Sequence, residues 1–195
     1  MKGISDHGMA CCGLINSNGP FYGVAPGCKV LPVNCESGVD PDGECCIMIP
    51  NKKLLKLLNK LAPHVDVMSF SWKKTDFDDT VIDKINELAT TGGKNSKGVL
   101  MVWAAGNDSS RLKSQIADDI AHLPNVAVVG AICSRAYRSH YSNYGRGLRL
   151  CAPSDNKAYS PDQDPLQQAL SLFFHSVGPK GTQYFGGTSA ATPLV

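Results

Sequence analysis

Residues 99–105, Val-Leu-Met-Val-Trp-Ala-Ala, form an unbroken apolar run. A run of that length is far too short to cross a membrane and suits a strand covered on both faces, as in the middle of a parallel sheet. Asn125 to Ile132 repeats the pattern, Val65 to Ser71 shortens it, and Leu148 to Cys151 shortens it further before Pro153. Between these runs the apolar period becomes helical. Leu54, Leu55, Leu57, Leu58 and Leu61, with lysines between them, predict an amphipathic helix over 51–61 that Pro63 ends. Val81, Ile82, Ile85, Leu88 and Ala89 predict a second helix over 78–91, capped by Asp76 or Asp78 and stopped by Gly92-Gly93. Small residues dominate 5–15, which reads as a short helix entered through a polar turn. Gly23 to Gly27 reads as a turn, followed by a short apolar strand over Cys28 to Asn34. Strands alternating with helices give an α/β fold: a doubly wound, mostly parallel sheet in a three-layer arrangement.

Two stretches resist a regular reading. Residues 36–44 carry Asp40, Asp42 and turn-forming neighbours, but the alternating ligands and closing glutamate of a calcium loop are missing. They read as a surface loop. Residues 154–181, which include the apolar patch Leu170 to Phe174, read as an irregular excursion.

With 195 residues, one domain is expected, and the chain can bury a sizeable core. A net charge of +2 and no run rich in lysine and arginine argue against nucleic acid as a partner. No apolar run reaches the length of a membrane span. The eight cysteines lack the CxxC spacing of a zinc site, so no metal cofactor is read from them. Cys35, Cys45 and Cys46 sit where a disulfide would form in an oxidising compartment, and the sequence leaves their pairing open.

Candidate chemistry lies at the ends of these elements. The last ten residues run Gly186-Gly187-Thr188-Ser189-Ala190-Ala191-Thr192-Pro193-Leu194-Val195. The glycines permit a tight turn, and Thr188 reads as a helix start, with Pro193 tolerated near it. Ser189 would then present its own N–H among the unpaired donors of a first helical turn, as a nucleophile beside an oxyanion requires. Taken alone it suits a capping role as well. His7 opens the first helix, where a structural histidine would also sit. The strand 99–105 ends in Gly106-Asn107, and an asparagine there can aim its amide at a developing oxyanion. Val65 to Ser71 ends nearby in Ser71-Trp72-Lys73, an edge suited to an extended peptide.

Taken together, six blocks resemble the subtilisin-like serine proteases, in order along the chain. They are His7-Gly8-Met9-Ala10-Cys11, Gly23-Val24-Ala25-Pro26, Ala104-Ala105-Gly106-Asn107, Ser142-Asn143-Tyr144-Gly145, Cys151-Ala152-Pro153-Ser154 and Gly187-Thr188-Ser189-Ala190-Ala191-Thr192-Pro193. The resemblance implies a serine endopeptidase acting on peptide or protein substrates. Ser189 would be the nucleophile, His7 the general base and later the acid, and Asn107 the side-chain half of the oxyanion hole. Ser71, Trp72 and Lys73, with Ala104, Ala105 and Gly106, would line the cleft. The family is mostly exported, so an extracellular site is implied. It often carries structural calcium, for which the sequence offers no site.

Three departures from the family pattern stand out. Its triad aspartate precedes the histidine on a separate strand, and Asp6 is adjacent to His7, where the two side chains do not face one another. The family continues past the serine into a long buried helix. Lys73 stands where a glycine is usual, which bears on how a substrate backbone would lie and would favour acidic side chains. These departures imply that residues 1–195 are part of a peptidase catalytic domain, cut at both ends and inactive alone. The competing expectation is a non-catalytic relative that binds peptides; a thiol or metal protein built on the cysteine pairs is the remaining alternative.

Overall fold

A computed structural model describes residues 6–19, 22–35, 37–39, 45–47, 49–72, 74, 76–112, 120–156, 174–178 and 181–195. Its centre is a four-stranded parallel sheet. The strands are β3 (Val67–Phe70), β4 (Leu100–Ala104), β5 (Val126–Ile132) and β6 (Leu150–Pro153), paired in that order. The register sets Phe70 beside Trp103, Trp103 beside Val128, and Val129 beside Leu150. Alternate side chains of β4 enter the two faces, which explains why the whole run is apolar.

On one face, Met101, Trp103, Val126 and Val128 pack with α2 (Asn51–Leu61) and α3 (Asp79–Thr91) through Leu54, Leu58, Val81, Ile85 and Leu88. Each fully buried leucine or isoleucine contributes roughly 1.5–3 kcal/mol. Asp78 caps α3, its carboxylate accepting from the Val81 N–H at 2.9 Å. Such a cap contributes about 1 kcal/mol. Pro63 lies in a tight turn, Ala62–His64, directly after α2.

On the other face, Val102, Val129, Ala131 and Ala152 meet Tyr141 and Ala191. Ala191 belongs to α4 (Gly187–Ala191), which packs near α1 (Asp6–Asn16). The result is three layers, helices on both faces of a parallel sheet, as the alternation of elements predicts.

Two antiparallel hairpins flank this frame. Strand β1 (Ser37–Val39) pairs with β2 (Cys45–Ile47), and β7 (Phe174–Gly178) pairs with β8 (Gly181–Phe185). The second hairpin lies against α1, and buried Ser176 donates its Oγ–H to the Ala10 carbonyl at 2.5 Å. These hairpins correct the reading of 36–44 as a loop and of 154–181 as irregular throughout. Residues 40–44 and 157–173 lie outside the described residues.

Cys28 to Asn34 is not a strand. Pro32 withdraws a backbone donor, and Leu31 and Val33 stay 53% and 41% exposed, with no strand among the described residues paired to them. Thr188 is not the helix start either: α4 begins at Gly187, with Gly186 in the capping position. The threonine hydroxyl is engaged elsewhere, as follows.

Candidate active site

The carboxyl ends of β3 and β4 open toward α4. Beyond β4 the backbone turns at Gly106, whose φ of 96° lies in the left-handed region where a side chain is disfavoured. That turn brings exposed Asn107 off the sheet. Asn143 holds the turn from beneath. Its Nδ2 donates to the Ala105 carbonyl at 2.9 Å, and its Oδ1 accepts from the Asp108 and Ser110 N–H groups at 3.1 and 2.9 Å. The side chain is 1% exposed, so these partners replace water it has lost.

Thr188 joins this turn to α4. Asn107 Oδ1 accepts from the Thr188 N–H at 2.9 Å and from the Thr188 hydroxyl at 2.8 Å. The same hydroxyl oxygen accepts from the Gly106 N–H at 3.2 Å. With its oxygen committed twice, the amide of Asn107 has a defined orientation and presents Nδ2 on the other side.

Ser189 follows directly. Its Oγ–H donates to the Ser71 carbonyl at 3.1 Å, and the Ser71 Oγ–H returns a bond to the Ser189 carbonyl at 2.9 Å. This reciprocal pair ties the end of β3 to α4. Cys11 lies between α4 and His7, its Sγ 3.8 Å from the Ser189 carbonyl and 3.9 Å from His7 Nδ1. The imidazole also meets Phe185 of β8 edge-on, with centroids 5.2 Å apart.

These surroundings tune the ionisable groups. Loss of hydration around the ring holds His7 below the ordinary histidine value of 6.5, although the residue keeps an exposed side. Burial pushes Cys11 up to about 11, an effect the neighbouring Ser71 hydroxyl partly offsets. The thiol is therefore protonated at neutral pH and reaches His7 only as a weak, neutral partner.

The profile of the Subtilase family matches residues 1–195. The chain belongs to the subtilase family. This subtilase chain is 28% identical over 218 residues to a calcium-dependent protease of Nostoc sp., covering 96% of the chain and 30% of that protein. It is 31% identical over 195 residues to an extracellular serine proteinase of Thermus sp., covering 97% of the chain and 39% of that protein. The chain thus spans well under half the length of these curated relatives. Among solved structures, it superimposes on the prenylagaramide maturation protease PagA with a TM-score of 0.69 at 21% identity. That match covers 97% of the chain and 61% of PagA. A cold-adapted subtilisin-like serine proteinase gives a TM-score of 0.63 at 22% identity, over 96% of the chain and 57% of that protein.

In this subtilase the expected residues fall into three groups. Ser189, Asn107 and Ser71 are joined through direct bonds or through Thr188, and His7 reaches them through Cys11. Ala104, Ala105 and Gly106 are buried at the end of β4. The Ala105 N–H bonds Val129, its carbonyl bonds Asn143, and the Gly106 carbonyl accepts from the Asn143 N–H. Half-buried Trp72 gives its carbonyl to Trp103 Nε1 at 2.7 Å, so that edge faces the core. Lys73 lies outside the described residues.

Sequence reasoning missed the linking roles of Thr188, Cys11 and Asn143. Each stood inside a quoted motif, but nothing in the motifs says which side chain bonds which.

Proposed function

We propose that this chain forms the greater part of a serine endopeptidase catalytic domain in which Ser189 attacks the peptide carbonyl. The observation that carries the proposal is the pair of bonds from Thr188 to Asn107. They orient an amide through the residue next to the serine before any substrate arrives, and preorganised donors are what stabilise a developing oxyanion most.

In the first step, the Ser189 hydroxyl rotates from the Ser71 carbonyl toward His7 and attacks the scissile carbonyl carbon. His7 takes the proton, and the carbonyl oxygen becomes an oxyanion facing Asn107 Nδ2 and the Ser189 N–H. Collapse breaks the C–N bond as His7 returns the proton to the leaving amine. Water then attacks the acyl-serine, with His7 again as base, and the second product leaves as a carboxylic acid. Depression of the His7 pKa keeps the imidazole neutral, and so ready to accept a proton, at neutral pH.

His7 Nδ1 is the nitrogen a triad gives to a carboxylate. Among the described residues the thiol of Cys11 stands there, and a neutral thiol cannot stabilise an imidazolium. We infer that the carboxylate comes from residues outside the described ones. Among the described residues no strand pairs with the outer edge of β3, which leaves room for a further strand. The family supports peptide or protein substrates, and relatives named as extracellular proteases support export. Among the described residues no cluster of three or more histidine, cysteine or carboxylate side chains is placed to hold a metal, and no step here uses one.

A fluorophosphonate probe applied to the protein expressed in full, with all its flanking sequence, tests the reading. Labelling of Ser189 that disappears in Ser189→Ala supports it. A folded protein that resists the probe would be a peptide-binding relative without catalysis.

A further inference from the structure

We propose that Asp155 is a positioning residue of this site, its carboxylate fixing the first turn of α4 and thereby the location of Ser189. The inference rests on the peptidase reading above. Asp155 lies two residues past β6. Its Oδ1 accepts from the Gly187 N–H at 2.8 Å and from the Tyr141 hydroxyl at 2.6 Å. The residue before it, Ser154, donates its Oγ–H to the Gly187 carbonyl at 2.8 Å. Gly187 is thus held at both its N–H and its carbonyl by consecutive side chains.

The approach is close. A Cβ at Gly186 would fall 2.4 Å from Asp155 Oδ1, so the carboxylate fills the space that a side chain at 186 would occupy. The support behind it is also fixed. The Asp155 carbonyl accepts from the Ser139 hydroxyl at 2.7 Å, and Asn156 Oδ1 accepts from the His140 N–H at 2.8 Å. Tyr141 is 3% exposed, and burial together with the adjacent carboxylate raises its pKa, so the phenol remains a donor at any working pH.

Ser189 lies two residues past Gly187, in a helix of one turn. Thr188 holds that turn from the Asn107 side, and Asp155 holds it from the β6 side. Without the second hold the turn keeps Thr188 and the Ser71–Ser189 pair but loses its anchor at Gly187, so Ser189 Oγ and the Ser189 N–H can shift. The carboxylate itself touches no reacting atom.

Asp155→Asn retains an Oδ1 acceptor, whereas Asp155→Leu has similar size and none. In the full-length protein, fluorophosphonate labelling of Ser189 is expected to slow by about ten- to a hundred-fold in Asp155→Leu. Asp155→Asn should recover most of that rate while both variants keep a cooperative melting transition. Labelling of folded Asp155→Leu at the unsubstituted rate would overturn the proposal, as would equal losses in the two variants. If Asp155→Leu does not fold, Tyr141→Phe loosens the carboxylate but spares its bond to Gly187, and several-fold slower labelling is expected; no change would count against the proposal. If the unsubstituted protein does not label, the peptidase reading fails, and amide exchange at Gly187 decides the positioning claim. Protection retained in Asp155→Asn and lost in Asp155→Leu supports it; an unprotected Gly187 in the unsubstituted protein overturns it.

Discussion

Thr188 holds the side chain of Asn107 with two hydrogen bonds to one oxygen, across a sequence separation of 81 residues. The residue before Ser189 thereby orients the amide of Asn107, the oxyanion donor of the proposed mechanism, and a change in either residue is felt by the other.

Removing the Asn107 amide should therefore slow hydrolysis without unfolding the chain. Asn107→Leu is expected to lower turnover by about 10²–10³, the magnitude found in subtilisin itself for one lost oxyanion donor. Thr188→Val leaves the backbone bond to Asn107 and removes the hydroxyl bond, so its loss should be smaller, and Thr188→Ser should restore most of it. Turnover and KM measured for the three variants check this, with the loss falling on turnover.

The pH dependence follows from His7. Its folded-state pKa lies below the ordinary value of 6.5 because the ring loses hydration. In residues 1–195 the ring should accordingly titrate with a midpoint below pH 6.5. The linked stability has the same sign. The unfolded chain binds the proton more readily, so His7's contribution is fully present above the unfolded-state pKa and is lost as the pH falls through the folded-state value. NMR titration of the ring, beside urea midpoints across that range, measures both.

Cys11 should be slow to react. Its pKa of about 11 leaves very little thiolate at pH 8, whereas Cys28 is exposed. Iodoacetamide at pH 8 is expected to modify Cys28 well before Cys11, as peptide mapping by mass spectrometry would show. Modification of Cys11 should also slow Ser189, because the added group would sit on a sulfur 3.9 Å from His7 Nδ1 and 3.8 Å from the serine carbonyl.

Strands β4 and β5 were legible because burial on both faces demands continuous apolar sequence, and α2 and α3 because one-sided burial imposes a helical period. The hairpins β1–β2 and β7–β8 escaped, since their segments show neither pattern. Cys28 to Asn34 misled in the opposite direction: its side chains suit a strand, but Pro32 and the absence of a paired neighbour prevail. Within the candidate site, Ser189, His7 and Asn107 were singled out by motifs that resemble a family, and their roles are those of the proposed mechanism. Asp155 was not. It sits in a coil segment, and its partners Tyr141 and Gly187 are distant in sequence, so no local period marks it.

The core supplies a test independent of catalysis. Leu54 is fully buried between α2 and the sheet. Leu54→Ala should cost about 2–5 kcal/mol, the lost transfer energy plus the cavity left behind. Equilibrium urea unfolding would report this as a lower midpoint with an unchanged slope.

The central claim is that Ser189 is a nucleophile served by His7 and Asn107. Intact-mass measurement of the full-length protein after fluorophosphonate treatment tests it most directly. One adduct, mapped to Ser189, absent in Ser189→Ala and strongly slowed in His7→Ala, is the expected result. No adduct on the folded protein, or an adduct that survives Ser189→Ala, would contradict it.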